Sequence, residues 1–234
     1  MIKYGFIKWI DSDILTENYI ITNGSSNMSI TLLQALENIK PFIGKELSQY
    51  AKKFGITIIS TKGGYNKGWK GQVVEKLAGL DGDNKQAPNG LGFECKSTAF
   101  VVRKDVIIAK ETMAITMFDE KDFDLPFLES HFWQKLKVLI FCAISWDKPF
   151  SETGTLLKIS TFQTLDLDEG DLYKKLECDY NLIISYFKKC KEEGVQAHTI
   201  SGELVQVRTK GSKNTMTRAF YAQKLFVNKI FNND

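Results

Sequence analysis

The chain has 234 residues, of which 43% are hydrophobic and 25% are charged, and it contains 17 glycines and 4 prolines. This composition excludes disordered, collagen-like and mucin-like proteins and is typical of a folded protein with a sizeable core. The 31 basic and 28 acidic side chains leave a net charge of +3, which is too small to indicate a polyanionic partner. Arginine is scarce: Arg103, Arg208 and Arg218 are the arginines, and two of them lie near the end of the chain.

The N-terminal segment and the cysteines indicate the cellular compartment. Lys3, Lys8 and Asp11 interrupt the first apolar residues, so no secretory signal is predicted. No run reaches the roughly 18 apolar residues of a membrane-spanning helix. The four cysteines share no CxxC spacing and are predicted to be reduced thiols. We therefore expect a cytoplasmic, bacterial protein without a membrane partner.

Periodicity and turn residues predict the order of elements. The first part predicts two helices in 31–54, a strand at 56–60, a loop at 61–71, a helix from Gly71 to Gly79 and a turn at 80–90. Next are predicted strands at 91–102 and 106–118, a helical turn running into a buried strand at 129–146, and a strand at 156–167. Last are a long amphipathic helix at 168–194 and strands at 203–210 and 219–227 around a polar turn at 211–217. This order predicts a mixed α/β or α+β sheet protein.

The segment GLGFECK, at 90–96, has the clearest chemical implication. Because side chains alternate along a strand, Glu94 and Lys96 are expected on one face, with Phe93 and Cys95 on the other. A carboxylate beside an ammonium group can hold a divalent cation at a phosphodiester and orient the attacking water. The same pair is also common as an exposed ion pair worth roughly 0–1 kcal/mol. The tripeptide alone does not decide between these interpretations.

Upstream, the segment KGWKGQVVE, at 67–75, places Glu75 on a helix that follows a glycine-rich loop carrying Lys67 and Lys70. The N-terminus of such a helix attracts phosphate through its free N–H groups and its dipole. The loop is not a Walker motif, because GxxxxGK[ST] is absent from the sequence. By itself, Glu75 is better explained as a solvated helix residue than as a catalytic one.

In combination, the motifs resemble the MutH family of DNA endonucleases and its relatives among the type II restriction enzymes. The segments that carry the resemblance are, in order, KGWKGQVVEKLAG, GLGFECK, SHFWQKLKVLIF, GELVQVRTK and RAFYAQKLF. The resemblance runs from about Ile43 to Phe226, so residues 1–42 form an N-terminal extension outside it. It implies a single endonuclease domain with a restriction-endonuclease-like PD-(D/E)xK fold. Such a fold has a central mixed sheet flanked by helices, and two lobes around a DNA cleft.

The resemblance also implies a set of site residues. Glu94 and Lys96 match the catalytic motif, Glu75 matches the helix glutamate of the active site, and Lys135 matches the lysine of an H-x-x-x-K-L-K segment. Magnesium would be held by Glu94 and the backbone carbonyl of Cys95. A DNA-recognition segment is implied at about 195–229. The implied DNA-contacting residues are Lys67, Lys70, Arg208, Lys210, Arg218, Tyr221 and Lys224.

One position departs from the family pattern. The family's metal-binding aspartate stands seven residues before the motif glutamate, where this chain has Ala87. Three explanations are open: Asp83 or Asp81 replaces that aspartate, the chain is an inactivated variant, or it is a natural DNA-binding copy that does not cut. Because the other catalytic positions are intact, we favour an engineered or recent loss of the aspartate on an active scaffold.

The activity implied is magnesium-dependent cleavage of double-stranded DNA at GATC or a similar short site. A type II restriction enzyme, with a cognate DNA methyltransferase in the same system, is favoured over a MutH-type mismatch-repair nickase acting at hemimethylated GATC. The reason is that the chain departs widely from the repair proteins outside the motifs. The other alternative is a catalytically silent, sequence-specific DNA-binding module. The implied assembly is a monomer, or a transient dimer on DNA.

Overall fold

The computed structural model describes residues 30–80, 88–164, 171–211 and 217–232. The predictions for Asp81, Asp83 and Ala87, and for most of the turn at 211–217, lie outside the described residues. No helix in the described ranges is both long enough and apolar enough to cross a bilayer.

Helices and strands alternate along the described chain. The helices are α1 (Leu32–Ile39), α2 (Ser48–Lys53), α3 (Trp69–Leu77), α4 (His131–Leu136), α5 (Asp171–Glu192) and α6 (Lys224–Asn232). The strands are β1 (Glu94–Arg103), β2 (Val106–Ala109), β3 (Met113–Phe118), β4 (Val138–Ser145), β5 (Leu156–Gln163), β6 (Ile200–Ser201), β7 (Val205–Thr209) and β8 (Arg218–Ala222). The protein is therefore of the mixed α+β class, as predicted.

The first sheet is mixed and has the order β2-β1-β4-β5. Strand β1 is parallel to β4, with Glu94 opposite Leu139, whereas the β1–β2 and β4–β5 pairs are antiparallel. A parallel pair needs a long crossover connection, which here includes β2, β3 and α4. The predicted mixed sheet with flanking helices is thus confirmed.

The second sheet is antiparallel and has the order β3-β8-β7-β6. The segment 106–118, predicted as one strand, is divided at Lys110–Thr112 into β2 and β3, which belong to different sheets. Residues 110–112 therefore lead the chain from the sheet that carries Glu94 to the sheet that carries the predicted recognition residues.

Two hydrophobic cores cover the two faces of the first sheet. On one face, Cys95, Ile140 and Cys142 pack with buried residues of α1, α2 and α3. On the other face, Phe141 packs with residues of α4, α5, α6 and the second sheet, and Phe231 of α6 lies against Phe100 at a ring distance of 4.5 Å. Strand β1 is consequently held from both sides, and its side chains are fixed in direction.

Two strand predictions are wrong. Residues 56–60 form only an isolated bridge, between Ile59 and Tyr65, and the Ile59 side chain is 47% exposed, so the β-branched run has no strand partner in the described structure. In the segment 219–227, the strand ends at Ala222 and α6 begins at Lys224. The apolar residues beyond that point are buried at helical spacing, which the strand interpretation did not recognise.

A buried carboxylate joins α5 to the second sheet. Asp179 accepts hydrogen bonds from the backbone N–H groups of Glu203, Leu204 and Val205, at 2.8, 2.7 and 3.0 Å. A Cβ atom at Gly202 would lie only 2.0 Å from a carboxylate oxygen of Asp179, so only glycine allows this approach. The contact determines where β7 begins relative to the helix.

We predict that Asp179→Ala strongly destabilises the fold, because three N–H groups lose their acceptor. Unpaired buried donors cost about 1–3 kcal/mol each, so the free energy of unfolding should fall by about 3 kcal/mol or more. Urea unfolding measures this loss. The control is Asp171→Ala, which removes an exposed carboxylate from the same helix. Equal losses in the two variants would contradict the role of Asp179.

Candidate active site

The centre of the site is the carboxylate of Glu94, which is buried with only 3% of its side chain exposed. Its Oε1 atom lies 2.6 Å from Nζ of Lys96 and 3.3 Å from Nζ of Lys135. The two lysine side chains are 20% and 11% exposed, respectively. One buried negative charge therefore faces two positive charges, and the group as a whole is positive.

Local structure explains how these three side chains meet. Glu94 and Lys96 are two positions apart on β1 and so share a face, as the alternation predicted. The helix α4 begins at a Ser130 cap, whose hydroxyl accepts the N–H of Trp133 at 3.1 Å. Lys135 lies near the end of α4, four residues before Leu139, which pairs with Glu94 across the parallel strands. The β1–β4 pairing thus brings a helix lysine to a strand glutamate.

The loop before β1 contributes a residue that the sequence analysis missed. The backbone N–H of Asn89 donates to Oε2 of Glu94 at 3.0 Å, and Oδ1 of Asn89 accepts the N–H of Cys95 at 2.8 Å. The N–H of Gly90 donates to the Phe93 carbonyl at 3.0 Å, and a Cβ at Gly90 would lie 2.2 Å from the Phe93 ring. Glycine at position 90 is thus required for the turn that places Asn89 beside Glu94.

The turn before β1 brings the backbone N–H of Asn89 to Glu94 from a separation of five residues, while the Asn89 side chain binds the backbone of Cys95. The resemblance points instead to Ala87, which lies outside the described residues. A signal was available in the sequence, because a polar residue between Pro88 and Gly90 is typical of a turn directly before β1. Asparagine carries no negative charge at this position.

Behind the strand, Cys95 is buried on the opposite face from Glu94, as predicted. A hydrogen bond to the Cys142 thiol, burial, and the nearby charges of Glu75 and Glu94 all raise the pKa of the Cys95 thiol. The thiol is therefore neutral and unsuited to act as a nucleophile. Glu75, on α3, lines the same cleft as Cys95 and Lys96 of β1.

A cleft of about 680 Å³ runs beside β1, between the loop leading into α3 and the chain that follows β4. Residues 95–99 line it, and they precede the part of β1 that pairs with β2. The described charged side chains that line it are five lysines and two glutamates, namely Lys67, Lys70, Lys96, Lys110, Lys148, Glu75 and Glu111. The excess of lysine makes the cleft positive, although the net charge of the whole chain is small.

Two lysines of this region have lowered pKa values. Burial lowers the pKa of Lys70, although the carboxylates of Asp147, Glu46 and Glu111 oppose the shift. The pKa of Lys210 is lowered by partial desolvation and then by the ammonium groups of Lys96 and Lys135. Lys210 directly follows β7, so the second sheet brings positive charge to the Glu94 site. This surplus of ammonium groups favours an anionic ligand such as phosphate.

The other predicted DNA-contacting residues are in different situations. Arg208 lies over the Tyr221 ring at 4.2 Å and donates to the Thr112 hydroxyl at 2.9 Å, so these residues of β7, β8 and the β2–β3 connection form one group. Arg218 donates to the Ala197 carbonyl and lies over the Phe187 ring at 5.3 Å. Lys67 and Lys224 are exposed. The structure thus brings Arg208 and Tyr221 together and ties Arg218 to the protein itself.

A magnesium ion at this site would have Glu94 as its carboxylate ligand and would share its other ligands with a bound phosphate. Magnesium takes oxygen ligands, and it is commonly held by one or two carboxylates together with substrate phosphates and water. Glu94 supplies one carboxylate, and the amide oxygen of Asn89 accepts the backbone N–H of Cys95, the residue after Glu94. Within the described part of the chain, no group of three or more His, Cys, Asp or Glu side chains is close enough to form a metal site. The phosphate would therefore have to supply part of the ligand set.

We predict that Asn89→Asp increases the affinity for divalent cations by at least about tenfold, because it adds a second negative charge beside Glu94. An aspartate can still accept the Cys95 N–H, so the fold should be retained. Titration calorimetry with Mg²⁺ and Mn²⁺, without any nucleic acid, measures the change. Asn181→Asp, which adds the same charge on an exposed position of α5, is the control. Equal affinities in Asn89→Asp and the unmodified protein would show that position 89 is not at a metal site.

Comparisons with known proteins do not assign this geometry to a family. No protein-family model matches the chain. No curated protein matches it either. The chemical interpretation of the site therefore depends on its own residues and distances.

Proposed function

We propose that the protein is a sequence-specific endonuclease for double-stranded DNA, of the type II restriction kind, that recognises GATC or a similar short site. The observation that carries the proposal is the contact of one buried carboxylate, Glu94, with the ammonium groups of Lys96 and Lys135 beside a positive cleft. Phosphodiester hydrolysis needs this combination, because negative charge accumulates on the phosphate as the water attacks.

The order of elements supports the same proposal. A helix carrying Glu75 is followed by β1 with Glu94 and Lys96, then by β2, β3, and α4 with Lys135, and then by β4 parallel to β1. We offer this order as support for the PD-(D/E)xK fold that the resemblance to the MutH family implies. It is stronger support than the Glu-x-Lys tripeptide, because it also includes the contact of Lys135 with Glu94.

In the proposed reaction, water attacks the phosphorus of a phosphodiester and gives up a proton to solvent, one P–O ester bond breaks, and the leaving oxygen takes a proton from solvent. The ammonium groups of Lys96 and Lys135 bind the phosphate oxygens and offset the charge that develops on them. Glu94 keeps both lysines in position, and Lys96, the more exposed of the two, orients the water. Bound magnesium would add Lewis-acid stabilisation of the same phosphate oxygens.

Recognition is assigned to the second sheet. Arg208 has a guanidinium fork that can bind a guanine edge in the major groove with two hydrogen bonds. The ring of Tyr221 and the hydroxyl of Thr112 hold that fork in one orientation, which reduces the conformational entropy lost on binding. Lys67, Lys70 and Lys210 would contact phosphates, which contributes affinity without sequence preference.

We predict magnesium-dependent cleavage of duplex DNA containing GATC, and a loss of roughly 100-fold or more in Lys96→Ala and in Lys135→Ala. Gel analysis of unmethylated, hemimethylated and fully methylated duplexes measures cleavage. Lys189→Ala, at an exposed position of α5, should cleave like the unmodified protein. Cutting of both strands of unmethylated DNA without a partner protein supports a restriction enzyme. Nicking confined to hemimethylated DNA would instead indicate a repair nickase.

We also predict that Arg208→Ala loses about 1–3 kcal/mol of discrimination between the recognised site and sites altered by one base pair. Competition binding with the two kinds of duplex measures this difference. Arg208→Lys should lose much of the discrimination too, because lysine keeps the charge but not the fork. Arg103→Ala, in the exposed β1–β2 hairpin, is the control. Equal weakening on all sequences would mean that Arg208 only contacts phosphate.

A second candidate function is favoured by one observation: the residue whose backbone N–H binds Glu94 is an asparagine and not an acid. Among the described residues, Glu94 is the carboxylate that contacts the two lysines, which suits a protein that binds DNA specifically without cutting it. In that case the unmodified protein binds a specific duplex but does not cut it when magnesium is present. If Asn89→Asp then cuts that duplex, the scaffold is that of a nuclease whose metal site is incomplete. If it does not cut, the silent binding module is the better description.

A further inference from the structure

We propose that the Phe150 ring stacks on a base of the bound DNA at the rim of the cleft, as a wedge that partly opens one base step. The inference rests on the proposed function, since it assumes that duplex DNA occupies the cleft. It adds a contact with DNA that neither the Glu94 site nor the second sheet supplies. Proteins that bend or open DNA commonly insert apolar side chains between base steps in this way.

The first observation is the conformation and exposure of Phe150. Its side chain is 62% exposed, and its backbone φ is +56°, a region that non-glycine residues rarely adopt. The other non-glycine residues with positive φ in the described ranges are Lys104 and Asp105, which form the two-residue β1–β2 hairpin turn, where positive φ is expected. Phe150 lies in a turn directly after Pro149, and this turn orients its backbone so that the ring stands out at the rim of the cleft. Strained residues of this kind concentrate at functional sites.

The second observation is that the Phe150 ring packs against a set of contacts that reaches the core. The Tyr65 ring meets the Phe150 ring edge to face at 5.2 Å. The Tyr65 hydroxyl donates to the carbonyl of Ser151 at 2.7 Å and accepts the indole N–H of Trp69 at 3.0 Å. Because Trp69 is fully buried, this chain of contacts connects the exposed ring to the core. A wedge needs such support, since a mobile ring would lose more entropy on stacking.

The third observation is the chemistry around the ring. Phe150 lines the same cleft as Lys96, and the ammonium group of Lys67 lies 5.7 Å from the centre of the Phe150 ring. Lys148 is two residues away and also lines the cleft. Ammonium groups form ion pairs with phosphates, and an exposed aromatic ring can stack on the face of a base. The combination of the two is therefore typical of a site that binds nucleic acid. A purely apolar partner would leave these lysines desolvated without counter-charges.

The experiment uses short duplexes that contain GATC with 2-aminopurine placed at successive positions, in metal-free buffer so that the DNA stays intact. Binding of the unmodified protein should raise 2-aminopurine fluorescence at one or two adjacent positions, because an opened base step relieves stacking quenching. Phe150→Ala should abolish that increase and weaken binding by roughly 5- to 100-fold. Phe150→Trp should keep both the fluorescence increase and the affinity. Leu182→Ala, equally apolar and 50% exposed on α5, should change neither.

The two proposals fail in distinguishable ways. If the unmodified protein binds the duplexes, and Phe150→Ala binds them with the same affinity and fluorescence pattern, the stacking role is overturned and the proposed function stands. If the unmodified protein does not bind duplex DNA, both are overturned. Melting temperatures of the Phe150 variants should match that of the unmodified protein, because the ring is exposed. Weaker binding at an unchanged melting temperature therefore supports the stacking contact.

Discussion

The buried charge of Glu94 is the constraint on which the site depends. A carboxylate removed from water is costly unless opposite charges and hydrogen bonds compensate it. Lys96 and Lys135 supply the charges, and the backbone N–H of Asn89 supplies a hydrogen bond. These partners come from a strand, a helix and a loop, so the compensation requires the parallel β1–β4 pairing, the end of α4 and the turn before β1 together. The contacts that stabilise the carboxylate are those that give the site its chemistry.

The parts of this arrangement that follow from local geometry could be predicted from sequence. The shared face of Glu94 and Lys96 follows from strand alternation, and the burial of Cys95 follows from the same rule. Lys135 was identified only through the resemblance, because its contact with Glu94 depends on long-range strand pairing. Asn89 was missed because its position depends on the shape of a glycine turn, which a count of residues does not describe.

The same distinction applies to the fold. The long helix α5 was predicted because its apolar stripe persists over many turns. The strand prediction at 219–227 was wrong beyond Ala222, because short apolar runs fit both a strand and a helix until their neighbours are known. The strand predicted at 56–60, which contains Ile59, was wrong for a different reason: a β-branched run without a partner strand remains a loop. The division of the strands between two sheets is likewise a tertiary property that no single segment encodes.

The Asp179 contact limits which sequence changes the start of β7 can accept. Because three consecutive backbone N–H groups are bound to one carboxylate of α5, β7 cannot slide by a residue without losing them together. A one-residue insertion or deletion at the start of β7 would therefore break all three hydrogen bonds at once, whereas exchanges of the side chains along β7 leave the contact intact. Position 208 and its neighbours can consequently be substituted on a backbone that stays in place.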